Sequence, residues 1–521
     1  MSVTSGESAT GPLRLAEVVA ALSLATDLGT GQPLEHALRT GLLSLELARR
    51  SGVAAGQLDD VYYLALLRFV GCTADAAETA VAAGGDDIGF IGAMGPAWMG
   101  STSEQARALV GATAPGAPLP RRARLLLAAF TDTQAAARSI SAHCEAGQML
   151  SVRLGVNPEV TEALGLAFER WDGKGMPGRC SGEAVPAPVR VVVVGRDIEL
   201  WTRLTDLDTA VEVIRGRAGK AYDPDVVAAF ATDPRGVLEA VQTGDAWQAT
   251  LDAEPTPWLR VHDDRLDQAL GAFGAFADLK STWTRGHSPG VAALAEAAAS
   301  GAGLDPTECD AVRRAGLVHD LGRVGVANGV WDHPGPLTVE AQERVRLHGY
   351  LTERILSRSR RLAPLARLCG CHHERADGSG YHRGATSSDL TVAERILAAA
   401  DAYHAMTEAR PHRPAMSPDH AAAQLRRDAR AGRFTADDVE CILEAAGHQA
   451  APRTDTSPAT LTPREQEVLR LIAAGLTNRQ VARELSITAR TVGTHVEHIY
   501  AKAGVSTRAG AALFAMQHGL V

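Results

Sequence analysis

The sequence predicts an all-α protein with two related helical domains followed by a smaller four-helix domain. Aromatic residues make up only 4% of the 521 residues, while alanine and leucine are abundant, a composition that favours helices over β-sandwiches. Amphipathic segments recur and end at glycine, as in HALRTGLLSLELARRSG at 36–52. A chain this long exceeds one hydrophobic core and should form roughly three or four domains.

The composition also indicates the class of protein and its compartment. Seven cysteines, odd in number and scattered, are typical of reduced thiols rather than of a disulfide framework. The first residues lack the pattern of a signal peptide, and no stretch reaches the roughly 18 apolar residues of a membrane span. We therefore expect a cytoplasmic protein without a membrane partner. The net charge of −9 gives no overall indication of nucleic-acid binding.

An internal repeat relates two parts of the chain. FERWDGKGMPG at 168–178 and HERADGSGYHRG at 373–384 share the pattern E-R-x-D-G-x-G. In the same register, spacings of 32, 24 and 29 residues recur between equivalent positions, namely His36, Arg68, His143, Ala167 and Arg196 in the first copy and His287, His319, His348, His372 and Asp401 in the second. One mismatch, between the second and third positions, implies an insertion of 46 residues in the first copy. The chain therefore contains two copies of one domain.

Breaks in composition suggest where the domains end. We predict a first domain at 1–252, a second at 256–447, a linker at 448–460 and a third domain at 461–521. The segment VRVVVVGRD at 189–197 has the composition of a buried strand, but its counterpart in the second copy, ERILAAADA, has that of a helix. Because tertiary context overrides propensity, we predict a helix in both copies.

The second copy carries a set of residues suited to metal binding. Neutral imidazoles and carboxylates are the ligands that borderline divalent metals prefer. Five histidines and two aspartates exceed the needs of one ion, and an aspartate can bridge two, so the count suggests a dinuclear centre. Adjacent helical residues project about 100° apart, and we therefore expect the neighbouring histidines to face different ions. The candidate ligands are His287, His319, Asp320, His348, His372, His373 and Asp401.

Residues 265–447 resemble the HD-GYP branch of the HD phosphohydrolase superfamily. The segments that carry this resemblance are GLVHDLGRVGV, HHERADGSGY and ERILAAADAYHAMTEARPHR. It implies an all-helical fold, the metal ligands named above, hydrolysis of cyclic di-GMP or a related phosphoester, and iron or manganese as the metal. It also implies that the substrate is bound by Gly380, Tyr381, Arg410 and Arg413.

Three departures from the family pattern concern the same site. Trp283 replaces the glutamate of members with three metals, so we expect two divalent ions. Arg323 replaces a lysine and keeps the cation with a different reach. His382 replaces the proline of the GYP motif, which loosens that loop. Asp320 is the expected bridge between the metals, and Arg323 and Arg410 are candidates for stabilising charge in the transition state.

The first copy has lost most of these ligands. Arg68 and Phe69 replace the His-Asp pair, Ala167 and Phe168 replace the two histidines, and Arg196 replaces the last aspartate. We interpret it as a pseudo-enzyme domain for regulation or dimerisation, with its former site sealed by apolar packing. Two alternatives stay open: a relic that only stabilises its neighbour, and an anion pocket formed by Arg68, Arg196 and Lys174.

The last sixty residues differ in charge and pattern. Thr462, Pro463 and Glu465 form a capping-box signature for one helix, a second short helix follows Asn478, and a third is predicted at 489–503. This spacing is a helix-turn-helix, and the segment resembles the four-helix LuxR/NarL-type domain over its whole length. Seven positive and four negative side chains give it +3, so the remaining chain carries −12.

The resemblance implies binding to double-stranded DNA, and to paired half-sites as a homodimer. The residues expected at the DNA are Arg479, Arg490, Thr491, Thr494, His495, His498 and Lys502. Gly493 stands where many relatives have lysine. A dimerising bundle without DNA binding is the alternative.

Together these features predict a transcription regulator with a metal-dependent phosphodiesterase module. The alternative is a non-catalytic sensor, in which nucleotide or metal bound to the HD-GYP-like domains controls DNA binding.

Overall fold

The computed structural model describes residues 13–132, 134–447 and 461–521, and helices dominate throughout. Within these ranges the chain forms 27 α-helices, three 3-10 helices and one two-stranded sheet, so the all-α prediction is confirmed. None of the helices in this described part is long and apolar enough to cross a membrane.

The first copy begins with strand β1 and continues through fourteen helices. Their bounds are β1 (Leu13–Arg14), α1 (Leu15–Gly29), α2 (His36–Arg50), α3 (Leu58–Leu67), α4 (Ala76–Ala83), α5 (Asp87–Met94), α6 (Thr102–Ala112), α7 (Leu119–Thr131), α8 (Ala135–Leu154), α9 (Pro158–Leu164), α10 (Ala187–Leu204), α11 (Leu207–Gly216), α12 (Pro224–Thr232), α13 (Pro234–Ala240) and α14 (Ala246–Ala253). Helices α4 to α7 lie between Arg68 and His143, the stretch in which the insertion of 46 residues is predicted. Helix α10 contains the valine-rich segment, so the choice of helix over strand is confirmed.

The second copy and the C-terminal domain follow. Their elements are β2 (Arg260–Val261), α15 (Asp263–Asp278), α16 (His287–Gly301), α17 (Pro306–Val318), α18 (Asn328–Trp331), α19 (Val339–Leu356), α20 (Ala363–Cys371), α21 (Val392–Thr407), α22 (Pro418–Arg430), α23 (Ala436–Ala446), α24 (Pro463–Ala473), α25 (Asn478–Glu484), α26 (Ala489–Ala503) and α27 (Arg508–Gln517). The 3-10 helices span Ala55–Gln57, Gly182–Ala184 and Leu321–Gly325.

The two copies repeat the same local structure at equivalent positions. His36 begins α2 and His287 begins α16, each directly after a residue in the left-handed region, with φ of 76° and 85°. A buried aspartate supports each helix start. Asp27 accepts a hydrogen bond from the first-turn N–H of Ala37 at 3.1 Å, and Asp278 accepts one from Ser288 at 2.9 Å. The repeat inferred from spacing is therefore present in three dimensions.

The two copies exchange contacts at their beginnings. Strands β1 and β2 pair antiparallel, with Leu13 opposite Val261. Helix α1 packs against the 3-10 helix Leu321–Gly325 of the second copy, and α15 packs against α8 of the first. One hydrophobic core runs through both copies. Their division at 252 and 256 stays a prediction, and the linker at 448–460 lies outside the described residues.

The C-terminal domain has a separate small core and the predicted helix order. Thr462 and Glu465 form the expected capping box at the start of α24, and α26 covers the predicted range 489–503. Val468, Ile472, Val492 and other apolar side chains fill its core.

Candidate metal centre

Five helices of the second copy bring the predicted ligands together. His287 begins α16, His319 and Asp320 follow the end of α17, His348 lies in α19, the histidine pair follows α20, and Asp401 lies in α21. All are buried except His373, which is half-buried. Their ligand atoms form two groups, each with all atoms within 4.8 Å of one another: Asp320, His348, His372 and His373 in one, and His287, His319 and Asp401 in the other.

Asp320 lies between the two groups and presents one oxygen to each. Its Oδ1 lies 3.3 Å from His348 Nε2 and 3.6 Å from His372 Nε2. Its Oδ2 lies 3.8 Å from His319 Nε2 and 3.9 Å from His287 Nε2. A carboxylate in this position can contact two cations at once.

Backbone carbonyls orient three of the imidazoles. His319 Nδ1 donates to Gly316 O at 2.8 Å, His348 Nδ1 donates to Val345 O at 2.5 Å, and His372 Nδ1 donates to Cys369 O. Each carbonyl belongs to the residue three positions earlier, one helical turn away. Because Nδ1 carries the proton, the Nε2 lone pair is free to bind a metal.

The donor set fits a divalent metal. His319 Nε2 is buried and has no hydrogen-bond partner among the residues described, a costly arrangement that a metal would relieve. Burial lowers the pKa of His319 to about 4, so this imidazole is neutral at physiological pH. Burial would raise the pKa of Asp320, but Arg323 and the neighbouring histidines hold it well below its ordinary value. Neutral imidazoles and ionised carboxylates are the protonation states that bind metals.

Glu408, which the sequence reasoning missed, supports His287. Its carboxylate accepts a hydrogen bond from His287 Nδ1 at 2.9 Å and pairs with Arg410 at 2.6 Å. This contact leaves His287 Nε2 facing Asp401 Oδ1 at 3.1 Å. A carboxylate behind a ligand histidine fixes its orientation and raises its basicity. The only signal in the sequence was its place two residues before Arg410.

The adjacent histidines diverge less than we expected. His372 and His373 both fall in the group around Asp320, and their ring centroids lie 4.2 Å apart. His373 also extends towards the other group, with Nδ1 3.7 Å from Asp401 Oδ2. Helix α20 ends at Cys371, but His372 keeps helical backbone angles, with φ of −62° and ψ of −18°, so the approach of the two rings does not come from a break in the backbone.

In both copies, the glutamate of the shared pattern E-R-x-D-G-x-G binds the backbone of the glycine loop that follows it. Glu374 accepts hydrogen bonds from the backbone N–H groups of Arg383 and Ala385, and Glu169 of the first copy accepts one from Arg179. Gly380 packs so closely on Glu374 that an added Cβ would lie 2.5 Å from its Cα. Glu374 therefore explains why the pattern E-R-x-D-G-x-G recurs.

The glycine loop of the second copy also determines which of its side chains face the candidate metal centre. Tyr381 lies beside the ligands, its ring centroid 4.4 Å from that of His373. His382 lies away from both groups, with Nε2 4.0 Å from Glu353.

The predicted arginines have different surroundings. Arg323 pairs with Asp320 at 3.1 Å and its guanidinium carbon lies 3.8 Å from the ring centroid of Trp331. Arg410 donates to Trp283 O at 3.0 Å. Arg413 donates to backbone carbonyls, including that of Glu408 at 3.1 Å, and so shapes the loop rather than facing the ligands.

The C-terminal domain exposes its third helix. A groove of about 280 Å³ runs along α26 and is lined by Thr488, Arg490, Thr491, Thr494, His495 and His498. Arg479 on α25 is exposed. Lys502 pairs with Glu465 at 2.7 Å and thereby ties α26 to α24.

The sequence matches two known families. Residues 116–226 and 273–437 match the HD domain family, and residues 459–515 match the luxR family of bacterial regulatory proteins. The chain is 29% identical over 439 residues to the 3'3'-cGAMP-specific phosphodiesterase 3 of Vibrio cholerae, covering 82% of this chain and 93% of that protein. It is 31% identical over 167 residues to a cyclic di-GMP phosphodiesterase of Thermotoga maritima, covering 31% of this chain and 45% of that protein.

A crystal structure of a cyclic GMP-AMP specific phosphodiesterase of V. cholerae has the same fold. The TM-score is 0.59 at 25% identity, over 84% of this chain and 99% of that one. The HD resemblance drawn from the sequence is thus confirmed. This chain belongs to the HD domain family and carries a luxR-family domain at its C-terminal end.

Proposed function

We propose that this protein is a metal-dependent phosphodiesterase that hydrolyses a cyclic dinucleotide and binds DNA through its C-terminal domain. The observation that carries the enzymatic part is Asp320, whose two oxygens face two separate groups of metal ligands. The relatives named as cyclic dinucleotide phosphodiesterases support the substrate class.

The seven predicted ligands would hold two divalent ions, with iron or manganese the metals we expect. Such ions would supply Lewis-acid activation of water and of the phosphoryl group. Asp320 would bridge them. His319, His348 and His372 are held in a fixed tautomer by backbone carbonyls, so they need little reorganisation to bind.

Other side chains of the site would bind and orient the substrate. Arg323 lies beside Asp320 and keeps a cation next to the place where phosphoryl charge would develop. Tyr381 covers His373 and can offer its ring to a base. Arg410 is anchored by Glu408 and Trp283 at the side of the centre where His287 lies. Arg413 would act indirectly, by holding the loop in shape.

The C-terminal domain would bind double-stranded DNA, with α26 in the major groove. Arg490, Thr491 and Thr494 are exposed on this helix, as base or phosphate contacts require. Domains of this kind bind paired half-sites, so we also propose that the protein acts as a homodimer.

The experiment uses the full chain and two readouts. Metal content would be measured by plasma mass spectrometry, and hydrolysis with 3'3'-cGAMP and with cyclic di-GMP as separate substrates. We expect about two metals per chain and turnover of at least one substrate. A His319→Ala, Asp320→Ala double variant should lose both, whereas His420→Ala, on the exposed start of α22, should lose neither.

The rival function is a non-catalytic sensor, and the same experiment separates the two. Bound metal and tight binding of a cyclic dinucleotide without turnover would establish the sensor and contradict the enzyme. Turnover that survives the double variant would contradict the assignment of the site.

A further inference from the structure

The first copy buries an arginine where the second copy places a predicted metal ligand. Arg68 follows α3 at the position that His319 occupies after α17. It is 5% exposed, and its Nε and Nη1 have no hydrogen-bond partner in the described ranges. Arg196, equivalent to Asp401, lies close enough for its charge to lower the pKa of Arg68 further, in addition to burial. A buried charge without a partner is costly, which indicates a missing anion.

The nearby charges are compensated, but that of Arg68 is not. Arg196 pairs with Asp197 at 2.6 Å, and Arg217 contacts both Asp197 and Glu104 at 3.2 Å. Arg170 pairs with Asp172 at 2.6 Å. The neighbouring arginines therefore have carboxylate partners, and Arg68 is the one whose positive charge has no ion pair among the described residues.

Aromatic rings form the wall beside this arginine. The ring centroids of Phe69 and Phe168 lie 6.5 Å apart, and His143 lies 5.1 Å from Phe168. The guanidinium carbon of Arg68 lies 5.0 Å from the Phe168 centroid. Both phenylalanines are partly exposed and belong to neither hydrophobic core, so the expectation of a site sealed by apolar packing is wrong.

The insertion α4 to α7 covers the same position. Gly95 O accepts a hydrogen bond from Arg196 at 2.9 Å, and Pro96 O accepts one from Arg217 at 3.3 Å. Trp98 lies beside the guanidinium groups of Arg170 and Arg217, and its own Nε1 is buried with no acceptor among described residues. The second copy, which is expected to bind metal, has no such insertion.

We propose that the first copy binds the phosphate of a nucleotide at Arg68 and does not hydrolyse it. The guanidinium provides the positive charge that metals would provide in the second copy, and its fork of donors matches phosphate oxygens. Phe69 and Phe168 would contact the base, because aromatic faces accept any base by stacking. The Gly95–Trp98 segment of the insertion would close over the ligand. Lys174 is exposed in the glycine loop and is not part of this site.

The test measures binding in a chain whose metal centre has been removed, so it is independent of the phosphodiesterase proposal. The full-length His319→Ala, Asp320→Ala variant would be titrated in the presence of a chelator with cyclic di-GMP, 3'3'-cGAMP, GTP, ATP and inorganic phosphate in separate arms. We expect one nucleotide per chain and an increase in Tm. The comparison between arms identifies the ligand. A Tm that rises with inorganic phosphate but with none of the nucleotides would contradict a nucleotide as the ligand.

Arg68→Met in this background separates a ligand-binding arginine from a structural one. We expect at least a tenfold loss of nucleotide affinity, together with a higher Tm without ligand, because an uncompensated buried charge has been removed. Arg138→Met on the exposed face of α8 is the matched control and should change neither quantity. Unchanged affinity in the Arg68 variant, or no binding by any nucleotide, would overturn the proposal.

Phe168→Ala provides a second measurement that keeps the charge of Arg68 in place and removes only the ring beside it. We expect at least tenfold weaker binding of the nucleotide and unchanged binding of inorganic phosphate. Equal losses for both ligands would show that the ring only supports the fold, and unchanged nucleotide binding would place the base elsewhere. This variant decides the proposal if Arg68→Met does not fold.

Discussion

At the scale of single residues, the position of each histidine on its helix determines the geometry of the candidate metal centre. Three imidazoles donate to the carbonyl one turn earlier: His319 and His372 at the ends of their helices, and His348 within α19. The spacing in the sequence was sufficient to predict which of these side chains the structure brings together. It could not identify Glu408, because nothing in a linear pattern indicates which carboxylate will fold behind His287.

Glu408→Gln tests the support of His287. Gln keeps the shape of the side chain but loses the charge, so the orientation and basicity of His287 should weaken. We expect metal affinity to fall about 10- to 100-fold, the range typical of second-sphere partners. The measurement is a metal titration followed by mass spectrometry. Glu440→Gln, in an exposed pair with Arg426, is the control and should leave affinity unchanged.

Asp27 predicts a pH dependence of stability that is independent of any metal. Burial raises its pKa well above the ordinary value, and the charge of Glu199, which pairs with His36, raises it further; the N–H of Ala37 opposes both. The folded chain then binds more protons than the unfolded chain above pH ~4, so stability falls as pH rises through the raised pKa.

Asp27→Asn removes this titration. We expect the variant to gain stability relative to the natural chain as the pH rises above ~4, the ordinary pKa of an aspartate, measured as the difference in denaturation midpoint. Asp233→Asn, on the exposed cap of α13, controls for the general effect of removing a carboxylate. A difference that does not change with pH would contradict the raised pKa.

At the scale of helices, capping residues and repeat spacing predicted more than local propensity did. The capping box at Thr462 and the bounds of α26 were predicted correctly because their signals are local. The valine-rich α10 was predicted correctly only by comparison with its repeat. The divergence of His372 and His373 was overestimated, because the orientation of side chains in a buried site depends on tertiary contacts that the sequence does not display.

Arg490→Ala tests the exposed face of α26. If Arg490 contacts phosphate, its loss should weaken DNA binding similarly for all sequences and reduce the slope of log affinity against log salt by about 1. If Arg490 contacts a base, its loss should cost about 1–3 kcal/mol of DNA-binding free energy and relax specificity at one position. Fluorescence anisotropy with a selected operator distinguishes these results. Arg426→Ala, outside this domain, should bind DNA normally.

At the scale of the whole molecule, the DNA-binding domain packs against both copies. Its last helix, α27, places Ala509, Leu513 and Met516 in the core that runs through both copies. Glu145 on α8 accepts hydrogen bonds from Ser506 N and Thr507 Oγ1. These contacts show that the last domain is docked, which no sequence pattern predicted.

A second contact joins the docked domain to the segment that precedes the metal centre. Arg285 donates to Ala473 O at 2.5 Å, and Val521 lies against Gly286, directly before the ligand His287. A movement of the start of α16 on metal or substrate binding would therefore reach the DNA-binding domain directly. Such a connection needs two arrangements of the domain that differ in free energy.

Glu145→Ala should shift that balance towards the undocked arrangement. Losing two hydrogen bonds to a charged acceptor should weaken docking by about 1–3 kcal/mol for each. We expect proteolysis within the predicted linker, 448–460, to become at least tenfold faster, while hydrolysis at the metal centre stays unchanged. Glu46→Ala, in an exposed pair with Arg50, is the control. Equal cleavage rates in the two variants would show that apolar packing of α27 alone holds the domain, because the hydrogen bonds would then contribute nothing measurable.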